Sequence, residues 1–283
     1  MRRLLVEPEH GAGCGARHGS PPRDRAGGIG DDARVDLNSD LGEAYGAWSA
    51  GDDLALLDVV TSANVACGFH AGDPATMERT VVAAAERGVA IGAQVSYPDL
   101  VGFGRRAMDV APADLTADVL YQLGALEAFA RVAGTRVRYL KPHGALYNRT
   151  VVDEVQAAAV ARAVRLYDSS LPVLTLPGSA LARAAAAAGV PVVAEGFADR
   201  AYTAAGRLVP RTEPGAVLTD ETEVVARAVR MVLGGSVDAY GGGVVELRIA
   251  SLCVHGDTPG AASLARAVRD GLAAAGIGLQ AFA

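Results

Sequence analysis

Residues 63–93 read ANVACGFHAGDPATMERTVVAAAERGVAIGA, two short apolar runs separated by a polar loop and a longer alanine-rich segment. Asp73, followed by a proline, is typical of the start of a helix, and Gly88 is typical of the position just after its end. The apolar runs at 63–67 and 89–93 have the composition of strands that are covered on both faces. This stretch therefore predicts a strand–helix–strand unit.

The same alternation continues from residue 34 to the end of the chain. Further strands are predicted at 35–38, 137–140, 173–176, 192–194 and 245–253. Further helices are predicted at 112–134, 153–167, 179–189, 220–234 and 258–276. This pattern indicates one β/α domain, a distorted or incomplete (β/α) barrel with about seven parallel strands. An open doubly wound sheet is the alternative.

Composition argues against several classes of function. The 283 residues carry a formal net charge of −6 at pH 7, which argues against a nucleic-acid partner because phosphate binding relies on clustered Lys and Arg. No apolar run approaches the roughly 20 residues of a membrane helix, so we expect no membrane partner. The three cysteines lack the spacing of a disulfide framework or zinc ribbon, which favours a reducing cytoplasm.

Residues 1–33 differ from the rest of the chain because they are rich in glycine and show little apolar periodicity. That composition predicts a disordered N-terminal extension, and a translation start assigned too far upstream would explain it equally well. We therefore expect the catalytic domain to span residues 34–283 as a single barrel.

Polar residues follow almost every predicted strand, and in a β/α barrel the active site forms at the carboxyl ends of the strands. The candidate catalytic residues are Asp40, Glu43, His70, Lys141 and His143. The candidate substrate-binding residues are Asp36, Asn38, Asp73, Tyr97, Arg200, His255 and Asp257. We expect these side chains to meet at one end of the barrel.

Some of these features also have simple structural explanations. Asp73 is accounted for by helix capping alone, and Cys67 is more typical of a packing residue than of a nucleophile. The glycine-rich segment 102–104, which precedes Arg105 and Arg106, fits either a mobile lid or a solvated surface.

Lys141 is the only lysine among 26 basic residues, which favours a site that needs a compact ammonium group. Carboxylates, imidazoles and one ammonium together suit the hydrolysis of a polar bond. A divalent metal held by His and Asp ligands is possible, although no H-E-x-x-H spacing specifies one. Neither common nucleotide-binding fingerprint, G-x-G-x-x-G after the first strand or a P-loop, is present.

Six sequence blocks, spread over residues 34–283, resemble the LamB/YcsF family. They read VDLNSDLGE, TSANVACGFHAGDP, SYPDLVGFGRR, YLKPHGALYN, GFADRAY and CVHGDTPGA. The resemblance implies a barrel akin to polysaccharide deacetylases. It also implies the A component of an ATP-dependent 5-oxoprolinase, which opens the lactam of 5-oxo-L-proline to L-glutamate, hydrolyses ATP to ADP and phosphate, and works with 5-oxoprolinase subunits B and C.

If the resemblance holds, ATP activates the lactam by phosphorylating its oxygen, and water then attacks. The expected roles are a base for water (Asp40 or Glu43), proton donors (His70 and His143), a cation for the developing charge (Lys141) and a partner for the substrate carboxylate (Arg200).

One position departs from the family pattern, which commonly reads GAHPSYPD where residues 92–99 of this chain read GAQVSYPD. Gln94 forms hydrogen bonds but cannot become a cation, and its amide is a poor metal ligand. Two other functions stay open: a metal-dependent amide or N-acetyl hydrolase that needs no ATP, by analogy with deacetylase barrels, and a non-catalytic subunit that only holds a lactam or sugar.

Overall fold

The computed structural model describes residues 33–255 and 260–283. Its strands are β1 (Arg34–Leu41), β2 (Ser62–Ala66), β3 (Ala90–Val95), β4 (Val137–Pro142), β5 (Val173–Thr175), β6 (Val192–Phe197), β7 (Ser236–Asp238), β8 (Val244–Glu246), β9 (Ser251–Cys253) and β10 (Gly278–Leu279). Its helices are α1 (Asp53–Leu57), α2 (Pro74–Glu86), α3 (Pro112–Val132), α4 (Gly144–Val152), α5 (Glu154–Tyr167), α6 (Ala180–Ala187), α7 (Glu221–Gly234) and α8 (Ala261–Ala274).

The strands β1 to β6 and β9 form a closed parallel barrel, in which β9 pairs with both β6 and β1. The predicted barrel of about seven parallel strands is therefore confirmed, and the pairing of β9 with β1 closes it. Strand β10 adds to the start of β1, where Arg34 lies opposite Gly278.

The last predicted strand, 245–253, is wrong because the chain forms two separate strands there. β8 pairs antiparallel with β7 as a hairpin, and only Ser251–Cys253 enters the barrel. Glu246 and Arg248 in this segment are exposed, and charged side chains do not fit a strand that is covered on both faces. Helices α1 and α4 have no counterpart among the predicted helices.

Helix boundaries follow the capping signals closely. The Asp73 carboxylate accepts hydrogen bonds from the backbone N–H groups of Ala75 at 3.0 Å and Thr76 at 3.2 Å, which confirms it as the cap of α2. Residues 258 and 259, the predicted start of the last helix, lie outside the described residues, as does the predicted extension up to residue 32. No helix in the described ranges is long and apolar enough to cross a membrane.

The two faces of β1 show how the fold separates its core from its site. Leu37 and Leu41 are fully buried in the apolar layer between barrel and helices. Asp36, Asn38 and Asp40 alternate with these apolar residues, and their side chains hydrogen-bond across the barrel interior. Because polar and apolar residues alternate along β1, the polar side chains line the inside of the barrel and the apolar ones face the helices.

Candidate active site

The polar side chains of β1 lie at different heights inside the barrel. At the lowest level, Asp36 accepts hydrogen bonds from the hydroxyls of Thr61 and Ser62, both at 2.6 Å, and from Ser251. Burial raises the pKa of Asp36, and these hydroxyl donors oppose that rise. Asp36 thus ties β1 to its neighbours and lies below the site rather than in it.

Lys141 is the centre of a buried ionic network. Its Nζ lies 2.7 Å from Glu195 Oε1 and donates at 3.2 Å to Asp40 Oδ1, Asn38 Oδ1 and Cys253 Sγ. Only 2% of Lys141 is exposed. We define the lysine network by five residues: Asn38, Asp40, Lys141, Tyr147 and Glu195.

The charges of the lysine network depend on one another. Burial alone would lower the pKa of Lys141, but Asp40 and Glu195 raise it well above its ordinary value. Burial would raise the pKa of Asp40, yet Lys141 lowers it below the usual range. Burial prevails at Glu195 and raises its pKa, and its Oε2 accepts a hydrogen bond from the Tyr147 hydroxyl at 2.9 Å. Glu195 is therefore the carboxylate of this network that takes up a proton more readily.

A second group lies at the ends of β2, β3 and β4. The rings of His70 and His143 stack with their centroids 4.3 Å apart, and Phe103 meets both rings edge-on. The Gln94 Oε1 atom lies 3.1 Å from His70 Nε2, while the Gln94 amide donates to Glu43 Oε1 at 2.9 Å. We call Glu43, His70, Gln94 and His143 the histidine cluster.

The electrostatics of the histidine cluster favour neutral rings. Burial lowers the pKa of His70 to about 4, and burial together with His70 lowers the pKa of His143 well below its ordinary value. Cationic proton donors at neutral pH, the expected role of these histidines, are therefore disfavoured. Within the described part of the chain, the Nδ1 atoms of both rings are buried without a hydrogen-bond partner.

The donor set of the histidine cluster fits a divalent cation. Glu43, His70 and His143 each offer one ligand atom, and these atoms lie within 4.8 Å of one another. Neutral imidazoles with an unused nitrogen, beside a carboxylate, are ordinary ligands of such a metal. Gln94 joins two of the three residues through its amide, so it holds them together in this arrangement.

The segment 99–106, the candidate lid, packs tightly over the histidine cluster. The buried Asp99 carboxylate accepts from the backbone N–H groups of Gly102 at 2.9 Å and Arg106 at 3.1 Å. A Cβ added at Gly104 would lie 2.5 Å from Ser96 Oγ and 2.9 Å from His70 Cβ, so only glycine fits this approach. Arg106 pairs with Asp99 although its side chain is 65% exposed, so Phe103 and Gly104 form a packed cover while Arg105 and Arg106 lie at the solvated surface.

On the other side of the site, His255 pairs with Asp199. Its Nδ1 lies 2.9 Å from each carboxylate oxygen of Asp199, and Phe197 stacks on the ring with centroids 5.5 Å apart. Burial would raise the pKa of Asp199, but His255 lowers it below its usual range. A neutral His255 that donates from Nδ1 keeps Nε2 as a proton acceptor.

An open cavity of about 790 Å³ adjoins the lysine network, His143 and His255. The predicted site residues that line it are Asp40, Lys141, His143, Arg200 and His255. The guanidinium of Arg200 is fixed by hydrogen bonds to the carbonyls of Val209 at 2.6 Å and Ala216 at 3.2 Å. Burial and the neighbouring Arg211 lower the pKa of Arg200 to about 10.

Four described substrate-binding candidates do not line this cavity, and one of them, Asn38, instead accepts a hydrogen bond from Lys141 inside the barrel. Asp36 lies below the site, and Asp73 caps α2 and also accepts from the backbone N–H of Gly46 at 3.0 Å. Tyr97 is fully buried and donates its hydroxyl to Gln156 Oε1 at 3.0 Å, in the helix layer. A fifth candidate, Asp257, lies outside the described residues.

Sequence reasoning missed several side chains that complete the site. Glu195 directly follows the apolar run 192–194, and Asp199 directly precedes the predicted site residue Arg200, so both had a positional signal. Tyr147 also follows a predicted strand, in the block YLKPHGALYN, but α4, which brings its hydroxyl to Glu195, is absent from the predicted helices. Cys67 is buried and its pKa is raised by burial, which fits packing rather than nucleophilic attack.

A closed β/α barrel with a charged cavity at the carboxyl ends of its strands defines the class of protein. The chain belongs to the LamB/YcsF family, whose model matches residues 35–283. The proteins named as the A component of 5-oxoprolinase in Streptomyces avermitilis and Streptomyces coelicolor are 65% and 63% identical to it over 249 residues, which is 88% of this chain and 100% of each relative.

A solved structure supports the same relationship. The crystal structure of the Lactam Utilization Protein from Thermus thermophilus is 48% identical, with a TM-score of 0.84. The match covers 88% of this chain and 100% of that protein. The fold and the family are therefore shared over the whole described barrel.

Proposed function

We propose that this chain is the A component of an ATP-dependent 5-oxoprolinase, a hydrolase that opens the lactam of 5-oxo-L-proline to L-glutamate. Two relatives with this name, matched over their whole length, support the proposal, as does a similar structure named for lactam utilization. In the proposal, the chain works with subunits B and C, as the lettered names of its relatives suggest. The free, buried Cys67 and Cys253 fit the cytoplasmic location expected from cysteine usage.

The observation that carries the proposal is the buried ammonium of Lys141, which faces the cavity alongside Arg200 and His255. An amide carbonyl is a weak electrophile, so lactam opening benefits from a fixed cation where negative charge develops. Lys141 is held by carboxylates on two sides and stays charged. Arg200, fixed through its backbone acceptors in the wall of the same cavity, is the proposed partner of the substrate carboxylate.

The reaction can be balanced with two waters. ATP transfers its terminal phosphoryl group to the lactam oxygen and leaves as ADP, and the first water adds to the activated carbon. The ring C–N bond then breaks, and the nitrogen leaves as the amine after taking up a proton. The second water hydrolyses the resulting acyl phosphate, which releases phosphate and completes L-glutamate.

This chain supplies groups for the proton transfers in that sequence. His255, oriented by Asp199, can accept a proton from water at Nε2, because Nδ1 is already committed to the carboxylate. Glu195 is the second candidate for moving a proton, since burial raises its pKa and Lys141 adjoins it. Asp40 instead holds Lys141, because its lowered pKa makes it a weak base.

A divalent cation fits Glu43, His70 and His143 and, when bound, would act as a Lewis acid toward an oxygen in the site. The same donor set favours the second candidate function, a metal-dependent amide or N-acetyl hydrolase without ATP. The two functions differ in their requirement for nucleotide.

The test is glutamate release from 5-oxo-L-proline by the full chain with its candidate subunits B and C, with and without ATP. Release that needs ATP is expected, and release without ATP would favour the metal-dependent hydrolase. Lys141→Arg keeps the charge but places a larger planar group among contacts of 2.7–3.2 Å, so we expect a loss of at least about 100-fold. No glutamate from an assembled complex would refute the proposal.

A lost activity must be separated from lost folding. Lys141→Arg is therefore compared with the parent chain by circular dichroism and thermal unfolding before its activity is interpreted. Asp199→Asn is the second variant, because it changes a hydrogen bond to His255 while nearly preserving side-chain volume. If both variants fold and both keep full activity, the cavity is not the site of lactam opening.

A further inference from the structure

The buried Glu195 carboxyl has no direct access to the cavity. Lactam opening needs a proton for the ring nitrogen, because a neutral amine leaves far more readily than its anion. Glu195 is the carboxyl group of the lysine network that carries a proton more readily, since burial raises its pKa. It is fully buried, however, and does not line the cavity. Its proton can reach a bound substrate only through a neighbouring side chain.

Among the described residues, two cavity-lining side chains make polar contacts with the Glu195 carboxyl group. Lys141 Nζ lies 2.7 Å from Oε1, and the Tyr147 hydroxyl donates to Oε2 at 2.9 Å. Although burial opposes it, Asp40 and Glu195 hold the pKa of Lys141 well above its ordinary value, so the ammonium keeps its protons. Tyr147 is therefore the neighbour that can transfer a proton from Glu195.

The Tyr147 phenol is suited to transfer a proton without becoming charged. Burial and the adjacent Glu195 raise its pKa well above the ordinary value, so the hydroxyl gives up its proton only when it takes another from Glu195. Only 4% of Tyr147 is exposed, and its ring meets Phe197 edge-on with centroids 5.5 Å apart. The hydroxyl is thus held against Glu195 at the wall of the cavity.

Other titratable side chains of the cavity wall fit this step less well. Lys141 outweighs burial and lowers the pKa of Asp40, so that carboxylate carries no proton at neutral pH. His255 donates from Nδ1 to Asp199 and is oriented to accept a proton from water at Nε2. His143 is a candidate metal ligand, which requires an unprotonated nitrogen. The guanidinium groups do not release protons.

We propose that Tyr147 is a catalytic residue that relays a proton from Glu195 to the ring nitrogen of the lactam. The inference rests on the proposed function and assigns the proton donor for C–N cleavage. As the C–N bond breaks, its electron pair stays on the nitrogen, which takes the phenolic proton. The phenolic oxygen takes the proton of Glu195 at the same time. Glu195 is left as a carboxylate beside Lys141 and regains a proton from water through the same hydroxyl.

The test is rapid acid quench of the full chain with its candidate subunits B and C, ATP and 5-oxo-L-proline, with ADP and glutamate both measured. Tyr147→Phe keeps the ring and removes the hydroxyl. We expect kcat for glutamate release to fall at least about 100-fold, with KM for 5-oxo-L-proline within about three-fold of the parent value.

The first turnover shows which step the hydroxyl serves. Phosphoryl transfer precedes C–N cleavage, so Tyr147→Phe should still form about one ADP per complex at close to the parent rate, ahead of glutamate. A purely structural defect would slow ADP and glutamate alike. If ADP formation slows as much as glutamate release, the proposal is overturned.

Tyr202→Phe is the matched control. The Tyr202 hydroxyl is equally buried and accepts a hydrogen bond from the backbone N–H of Phe197 at 2.8 Å, but the residue does not line the cavity. We expect kcat within about three-fold of the parent value and no early ADP. The same loss of kcat and the same early ADP in both variants would show a general disturbance of the site and count against the relay.

Glu195→Gln tests the other end of the relay and serves if Tyr147→Phe does not fold. Glutamine still accepts from the Tyr147 hydroxyl but has no acidic proton to give. It should therefore also form early ADP, and the double variant should be at most about two-fold slower than the slower single variant. Losses that multiply would mean that Tyr147 and Glu195 act separately, and the relay would be wrong.

The parent complex separates failure of this inference from failure of the proposed function. If the assembled parent releases no glutamate, the proposed function fails, and the relay for this reaction fails with it. If the parent is active and Tyr147→Phe keeps kcat within about two-fold, only the relay is overturned and the proposed function stands.

Discussion

The histidine cluster and the lysine network lie at the same end of one barrel, but their buried ionisable side chains differ in charge. The lysine network keeps its charges because Lys141 meets Glu195 at 2.7 Å and Asp40 at 3.2 Å. In the histidine cluster the imidazoles stay neutral, since burial lowers the pKa of His70 to about 4 and that of His143 well below its ordinary value. One side is a set of paired ions at an open cavity, and the other is a pair of neutral imidazoles beside the Glu43 carboxylate, under the segment 99–106.

This difference indicates a division of labour. A paired ammonium beside an open cavity suits electrostatic stabilisation of a substrate. Neutral imidazoles under the segment 99–106 suit the binding of a metal ion, because a ligand nitrogen must carry no proton. Variants that affect the lysine network and the histidine cluster alike would contradict this division, whereas variants that affect only one of them would support it.

The largest effect is expected from Lys141→Met, which removes the ammonium and leaves Asp40 and Glu195 buried without their cation. Breaking one side of a buried ion pair costs about 3–5 kcal/mol, so the midpoint of denaturant unfolding should fall strongly. Activity should fall by at least about 1,000-fold. Adding Glu195→Gln should restore part of the stability and none of the activity. If the double variant is no more stable than Lys141→Met, the ionic account of this network is wrong.

Asp199→Asn tests the role of His255 at the cavity without removing an ion from the lysine network. The asparagine amide would donate to His255 Nδ1 and force the wrong tautomer, so kcat should fall by about 100- to 10,000-fold with little change in KM. His255→Asn should cost a similar amount, and the double variant little more, because both act through one imidazole. Additive losses in steady-state kinetics would mean that the two residues act separately.

The fold could be predicted because its signals are local. The cap at Asp73 and the glycine at position 88 bound α2, and short apolar runs mark the barrel strands. The ends of the strands were harder to predict from sequence than the ends of the helices. The sequence predicts that β1 ends at Asn38, but the strand continues to Leu41, which places Asp36 roughly 16 Å below the strand end at ~3.3 Å per residue. That is why Asp36 ties strands together instead of lining the cavity.

The candidate site could be predicted only in part, because pairing across the barrel is long-range. The positions of Lys141 and Asp40 after strands indicate site residues, but nothing local shows that Glu195 completes the ion pair. The backbone between β3 and α3 turns Tyr97 into the helix layer, so its place near a strand end was misleading. The division between neutral and charged sides depends on burial, which the sequence pattern does not resolve for individual side chains.

The pH dependence of stability tests whether the imidazoles of the histidine cluster are neutral in the folded chain. The pKa of His70 is about 4 in the folded chain against an ordinary value near 6.5, so the unfolded chain binds more protons between these values. Stability should therefore fall as pH drops from 6.5 to 4, by up to roughly 3 kcal/mol. Denaturant unfolding at several pH values measures this slope. His70→Gln should flatten it, and an unchanged slope would place the titrating groups elsewhere.

Gln94→His tests whether the histidine cluster binds a metal ion. A third imidazole beside Glu43 adds a ligand where the amide is a poor one, so affinity for Zn²⁺ or Co²⁺ should rise at least about 10-fold. Competition with a chromophoric chelator measures the affinity without relying on turnover. His143→Gln is the opposite control and should weaken binding by a similar factor. Equal affinity in all three proteins would remove the metal from this cluster.

The smallest effect is expected from Tyr97→Phe, which tests where the site ends. The Tyr97 hydroxyl donates to Gln156 at 3.0 Å in the helix layer, and its loss leaves a buried acceptor with one partner fewer. Stability should fall by about 1 kcal/mol, while kcat and KM stay within about two-fold of the parent values. A change in KM for 5-oxo-L-proline would show that Tyr97 contributes to substrate binding. The site would then extend beyond the lysine network and the histidine cluster. If only the free energy of unfolding changes, Tyr97 belongs to the packing of α5 against the barrel. A structural hydrogen bond contributes equally to stability with and without substrate, so it leaves KM unchanged.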